Sequence, residues 1–296
     1  MIQLAETLDD TSDIPAWQTY AANIKVAANN LLWDEAQGMY RDNQTTNLAP
    51  QDGNVWAVLS NLTQTPAQIE SISANLAARW SPYGAPAPEA GNAVCPFISG
   101  LELQTHMAAG NTKRALSLMR NMWAYMLDAP GMTNSTFMEG YAVDGSHHYQ
   151  PYTNDPKISY AHGWASGPTS FLTFSVAGIR LISPAGSEWR IEPNLGDLKK
   201  VEAGFSTDLG EFRVSVSTSD DGKVLDMMLD APVGTKGSLK LQHRDCRGWY
   251  EVQYAAARDG DTLPENSERG VVDGTSTELN DLQGGTWDVV VFCDEV

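Results

Sequence analysis

The stretch FISGLELQTHMAAGNTKRALSLMRNMWAYML, Phe97–Leu127, decides how the chain is read. Its apolar residues recur at steps of three and four on either side of Gly110-Asn111. That spacing predicts two helices, Phe97–Ala109 and Thr112–Leu127, joined by a tight link into a hairpin. The same period extends toward the N-terminus. Trp17, Tyr20, Ala21, Ile24, Ala27, Ala28 and Leu31 fall on one face of a helix of about five turns, expected to point toward a core. Asp13 supplies its cap, Pro15 sits in its first turn and Gly38 closes the region.

Further helices are expected at Val55–Leu62, Ala67–Arg79 and Gly167–Ile179. The links at Asn61–Pro66 and Gly110–Asn111 are tight. Those at Asp34–Gly53, Trp80–Pro96 and Asp128–Ala161 are long and rich in Gly, Pro and Asn. Short links at one end and long ones at the other describe helical hairpins whose long loops gather on one side, where function commonly resides. After about Leu181 the period changes to two. Phe212–Thr218, Lys223–Leu229, Gly237–Gln242, Trp249–Ala255 and Thr286–Phe292 read as strands, with a hairpin turn at Asp220-Asp221-Gly222. The fold class is mainly α plus β: helical hairpins over residues 1–181, which the resemblance given below implies are a partial (α/α)6 toroid, followed by an antiparallel β-sandwich over 182–296.

With 296 residues, of which 42% are hydrophobic, the chain can fill two cores. A net charge of -18 repels nucleic acid phosphates and anionic membrane surfaces, so neither is an expected partner. No run approaches a membrane span, and the acidic start MIQLAETLDD is unlike an export signal. Cys95, Cys246 and Cys293 show no metal or redox spacing. Cys246 and Cys293 would pair if their strands were neighbours, although buried free thiols are the favoured reading. Sequons at Asn43, Asn61 and Asn134 carry little weight, since an Asn- and Thr-rich chain produces them by chance.

The chemistry concentrates in TNSTFMEGYAVDGSHHYQPYTNDPKISYAHGW, Thr133–Trp164, which gathers Glu139, Asp144, Asp155, three histidines and four tyrosines in one long loop. Polar edges with aromatic faces suit a hydroxyl-rich ligand, and glycosidic hydrolysis needs two carboxyl groups. An exposed loop with surface carboxylates is the competing explanation. His147-His148 lack the spacing of metal ligands, and no metal or cofactor is expected. His106 reads as a satisfied helix histidine. Trp80, Tyr83 and Glu89 read as loop packing more readily than as a leaving-group subsite.

QDGNVWAV (Gln51–Val58), RWSPYGAPAPE (Arg79–Glu89), PFISGLELQTHMAAG (Pro96–Gly110), NSTFMEGY (Asn134–Tyr141), SYAHGWASGPTS (Ser159–Ser170) and WRIEPNLGDLKKVEAGFSTDLGEFRVS (Trp189–Ser215), in this order, resemble the C-terminal half of an α-L-rhamnosidase. The likeness is to the fungal six-hairpin type of glycoside hydrolase family 78. It implies an (α/α)6 barrel with a C-terminal β-sandwich, hydrolysis of terminal α-L-rhamnose with inversion, and a rhamnose-containing glycoside or polysaccharide as substrate. It also implies that Glu139 is the general base and His162 a sugar-binding residue. Trp164 would then serve as an apolar wall, and Tyr141 or a backbone group would orient Glu139. Asp52, Asn54 and Trp56 lie on the same side as candidate sugar contacts, with Asp52 as a helix cap and Gly53 as a turn residue forming the rival reading.

The resemblance puts the general acid in the first half of the barrel, which has no counterpart here. Six or seven helices are counted, against twelve in a closed toroid. The chain therefore reads as a fragment whose partner would be the missing N-terminal half, extracellular if a signal peptide lies upstream. The alternatives are a non-catalytic carbohydrate-binding remnant, a six-hairpin enzyme acting on another sugar, and a helical interaction scaffold.

Overall fold

The computed structural model describes residues 1–255 and 267–295. The chain divides into two compact units, Met1–Gly167 and Pro168–Val296.

In the first unit, helices α1 (Ile2–Thr7), α2 (Ile14–Leu31), α3 (Gln51–Leu59), α4 (Pro66–Ala77), α5 (Pro96–Ala108) and α6 (Thr112–Asp128) follow one another. Two short β-ladders interrupt them, β1 (Trp33–Asp34) with β2 (Met39–Tyr40), and β3 (Pro86–Ala87) with β4 (Ala93–Val94). The tight links fold as side-chain caps. Thr65 accepts from Gln68 N ahead of α4, and Asn111 accepts from Arg114 N ahead of α6, each satisfying a helix N–H left over by the first turn. Met39, Val55, Ala57, Ile72 and Leu76 form one core cluster. Leu103, Leu116, Leu118, Met122 and Met126 bury the α5–α6 hairpin.

The start of α3 packs on the first turns of α5, where the Gln51 amide reaches Ser99 and Glu102. Gly100 of α5 abuts Gly167 so closely that a Cβ on Gly167 would lie 2.7 Å from Gly100 Cα. Bare backbone at both positions permits this approach.

Two expectations for α2 change. Asp13 flanks α2 without a side-chain cap bond. The apolar face of α2 is open rather than covered, with Tyr20 64%, Ile24 59% and Leu31 45% exposed, while Ile14 and Ala28 are buried. The helix docks through Asn29, which donates to Leu62 O at 2.7 Å and accepts from the Tyr40 hydroxyl. Periodicity shows which residues share a face, not whether anything covers it.

The second unit begins in α7 (Gly167–Phe171), which widens into a π turn at Leu172–Val176 instead of continuing to Ile179. Gly178, at φ +74, ends it; its carbonyl accepts from Glu192 N as the chain enters β5 (Ile179–Leu181). Then come β6 (Glu188–Ile191), β7 (Lys200–Thr207), β8 (Gly210–Thr218), β9 (Val224–Ala255) and β10 (Ser267–Glu295).

The last two are long ribbons that bend. Residues 225–230 of β9 pair with β8, while 236–239 pair with β6, and β10 follows both segments antiparallel. The result is a curled sheet. Val214, Val216, Met227, Leu229, Val289 and Val291 are buried from one part of it, and Trp189, Ile191, Leu239 and Leu241 from the other. Phe212 of β8 reaches the Gly186 turn before β6. One pairing departs from an all-antiparallel sheet, since β6 runs parallel to β9.

The five expected strands fall on β8, β9 and β10, three of them on the single ribbon β9, with Lys223 one residue ahead of it. Residues 286–292 pair with both 224–230 and 249–255, so Cys246 and Cys293 end on adjacent strands. They form a disulfide across a Cα separation of 5.4 Å, which corrects the favoured free-thiol reading.

Candidate active site

Residues 137–162 leave α6 as a long loop and return alongside themselves. Glu139 N donates to Ser159 O at 2.8 Å and His162 N to Phe137 O at 2.9 Å, which sets the two ends of the loop side by side. A second pairing, Val94 N to Tyr141 O at 2.8 Å and Tyr141 N to Val94 O at 3.2 Å, fixes the loop to the strand entering α5. Gly140 allows the Tyr149 ring to lie on the backbone next to Glu139, where a Cβ would fall 2.3 Å from Tyr149 Cε2.

The Glu139 side chain is 6% exposed. Its Oε1 accepts from the Tyr152 hydroxyl and its Oε2 from Ser159 N at 3.2 Å, while His162 Nδ1 lies 3.9 Å from Oε2. The bond to Glu139 holds the Tyr152 hydroxyl above the ordinary phenol range. A carboxylate held by two donors still has lone pairs for a third. This arrangement can take a proton from a positioned water.

On the open side, the His162 ring lies 4.5 Å from Trp164, and Trp164 lies 5.2 Å from Phe97 at a 31° tilt. Glu139, His162, Trp164 and Phe97 therefore form a continuous group.

The remaining candidates sort differently. Tyr141 is fully buried and donates its hydroxyl to Tyr83 O at 2.6 Å, so it supports the loop, and Tyr152 with Ser159 orients Glu139 instead. Burial beside Tyr125 raises its hydroxyl far above the phenol range. Asn54 is fully buried, donating to Tyr40 O and Pro50 O and accepting from Tyr40 N, all at 2.8 Å; it braces β2 against α3 and is closed to a sugar. Trp56 is 49% exposed on α3.

Asp52 is not the N-cap residue of α3, although its Oδ1 accepts from Gly53 N at 2.6 Å; the cap of the first two N–H groups comes from elsewhere. That role belongs to Glu89, whose two carboxylate oxygens accept from Gln51 N at 2.9 Å and Asp52 N at 3.0 Å. Burial raises the Glu89 carboxyl above its ordinary value, with the two backbone bonds opposing the shift and the nearby Asp52 adding to it. Gly53 lies inside the helix, not in a turn, and a Cβ there would sit 2.9 Å from Pro50 Cγ.

On α5, Glu102 is buried and accepts from Gln51 Nε2 at 2.6 Å and Trp80 Nε1 at 2.7 Å, with His106 Nε2 at 3.2 Å. His106 also meets Ser73 Oγ at 2.8 Å, consistent with a satisfied helix histidine. Tyr83 packs on Tyr125 and Trp80 on His106. Tyr152, Ser159, Glu102 and Phe97 had no individual sequence signal. Tyr152 and Ser159 belonged to a polar loop already under suspicion, and Glu102 and Phe97 read only as helix positions.

His147 pairs with Tyr160 and His148 with Asp155. Among the described residues, the group with metal-binding potential is His243, Cys246 and Cys293, and both of its sulfurs are in the disulfide.

The chain is a unit of helical hairpins followed by a curled β-sheet, with a buried carboxylate on the loop after α6. The chain shares its fold with α-L-rhamnosidases. Over 98% of its length it matches the enzyme from Dictyoglumus thermophilum at a TM-score of 0.70 and 16% identity, covering 30% of that chain. It matches the Streptomyces avermitilis enzyme complexed with L-rhamnose at 0.66 and 16%, covering 98% of this chain and 25% of that one. The Bacillus sp. GL1 rhamnosidase matches at 0.64 and 21%, with 80% and 24% covered. The chain thus spans less than a third of the length of these structures. No family model and no curated protein matches the sequence.

Proposed function

We propose that the chain is part of an inverting glycoside hydrolase acting on terminal α-L-rhamnose, with Glu139 activating the attacking water and His162 holding the sugar. The observation that carries this reading is the buried Glu139 carboxylate, fixed by Tyr152 and Ser159 with His162 3.9 Å away. A base needs to be oriented toward its water, and the bonds from Tyr152 and Ser159 N support that orientation. The shared rhamnosidase fold adds weight.

An inverting pair also needs an acid on the opposite side of the bond, about 6.5–9.5 Å from the base. We assign that acid to a segment outside these 296 residues, because the resemblance places it ahead of everything matched here. A binding-only role, in which the site holds the sugar without cleaving it, is the second reading.

Calorimetry of the full chain with L-rhamnose, alongside turnover of an aryl α-L-rhamnoside, tests both readings. Binding that Glu139→Gln or His162→Ala weakens at least tenfold supports the site. Turnover by the chain alone would reject the external acid. Absence of rhamnose affinity, or affinity unchanged in both variants, would reject the site.

A further inference from the structure

We propose that His243, Cys246 and Cys293 form a redox-gated site for zinc, shut while the two sulfurs are joined and open once a dithiol reduces them. The site lies within the β unit, on β9 and β10. Its three ligand atoms all fall within 4.8 Å of one another, and both cysteines are buried. His243 Nδ1 is 3.7 Å from Cys246 Sγ. With bonds of about 2.3 Å to sulfur and about 2.0 Å to nitrogen, a tetrahedral zinc spaces those two atoms about 3.6 Å apart. Thiolate and imidazole are donors that suit zinc, whereas calcium and magnesium take oxygen.

A regular strand would not bring these groups together. His243 and Cys246 are three residues apart, so alternation alone would send them to opposite faces. The pairing with β10 is irregular at this point. Gln242 lies opposite Ser276 and Cys246 opposite Gly274, which leaves residues 243–245 facing Thr275 alone. A bulge of this kind re-aims side chains, and here it turns the imidazole and the sulfur toward each other.

The ligands are also held in advance. His243 Nε2 lies 3.1 Å from the buried Thr277 Oγ1. With the ring proton on Nε2 and donated to Thr277, Nδ1 keeps its lone pair for the metal, which is how an outer partner fixes a ligating histidine. The cysteine backbones are secured apart from their shared bond: Cys246 pairs with Gly274, and Cys293 N donates to Lys223 O at 2.8 Å. Opening the site needs two electrons and two protons, which the dithiol supplies as it becomes a disulfide itself, leaving Cys246 and Cys293 as thiols. Zinc then takes both as thiolates and releases their protons, with the sulfurs about 3.8 Å apart and water in the fourth position.

The test is calorimetry of the full chain with zinc chloride, before and after reduction by a phosphine, which adds no competing thiol. The reduced wild type is expected to take up one zinc that the oxidised protein does not, and cobalt in its place should show a thiolate charge-transfer band. His243→Ala and Thr277→Val should each weaken this zinc by about tenfold or more, as loss of a ligand or its outer partner does. Cys246→Ser should abolish it. Oxidised His243→Ala should still form the disulfide, which guards against loss of the fold as the cause. If the reduced chain unfolds without metal, zinc present during reduction should restore the β-sheet circular dichroism of the wild type and not of His243→Ala. Equal uptake by oxidised and reduced protein, uptake unchanged in His243→Ala, or a reduced chain that zinc neither binds nor refolds would overturn the site.

Discussion

Tyr152 donates its hydroxyl to Glu139 Oε1 from 13 residues along the same loop, and Ser159 N holds the other oxygen at 3.2 Å. Hydrogen bonds to a charged group contribute about 1.5–3 kcal/mol, and a buried carboxylate left short of a donor loses that and more in solvation. Tyr152→Phe should therefore lower unfolding stability by about 2 kcal/mol in urea melts. A change below about 0.5 kcal/mol would mean the bond carries no net weight.

Glu102 should be more costly to replace. Its carboxylate joins Gln51, Trp80 and His106 where α3, α5 and the Trp80 loop meet. Glu102→Leu removes the charge and leaves buried donors without an acceptor, a loss of about 3–5 kcal/mol. Thermal and chemical denaturation should show it as a large drop in the midpoint.

Glu89 predicts a pH effect with a definite sign. Its folded carboxyl titrates above the ordinary 4.5, so between 4.5 and the raised value the native state binds the proton more tightly than the unfolded chain. Its contribution to stability is fully present below 4.5 and is lost as pH rises through the folded value. Glu89→Gln should remove this increment, flattening the stability profile on the acid side. Parallel profiles for the two proteins would contradict the assignment. Glu89→Ala, which also deletes the helix cap, should cost about 1 kcal/mol at neutral pH.

The Cys246–Cys293 disulfide closes a separation of 47 residues in the β unit. Replacing both cysteines with serine should lower the stability of that unit by about 2–4 kcal/mol, read as a lower Tm. Mass spectrometry of the untreated protein should find one disulfide and one free thiol at Cys95.

Much of this architecture was legible from spacing alone. Steps of three and four located α2, α4, α5 and α6, because a helix repeats its face every turn whatever surrounds it. Alternation located the segments of β8, β9 and β10 for the corresponding reason in a strand. The start of α3 at Gln51 was harder to read, since its N–H groups are capped by Glu89 from 38 residues away in place of a local side chain. The candidate site was legible as a loop of the right composition, and Glu139 and His162 only through a family resemblance. The directions of Tyr141 and Asn54 were not legible. Each faces inward because a backbone partner, Tyr83 O for one and Tyr40 for the other, lies beneath it.

The sequence by itself determined the order of the parts: helical hairpins first, strands after, long loops at one end of the hairpins and polar chemistry in the last of them. Those properties come from backbone sterics and side-chain period, which act over a few neighbouring residues. Only the tertiary structure decided that Tyr152 and Ser159 hold Glu139, that Phe97 stacks on Trp164, that Cys246 meets Cys293 and that the apolar face of α2 stays open. These depend on contacts between distant residues, where a polar group is satisfied or a surface covered by whichever partner the folded chain brings to it.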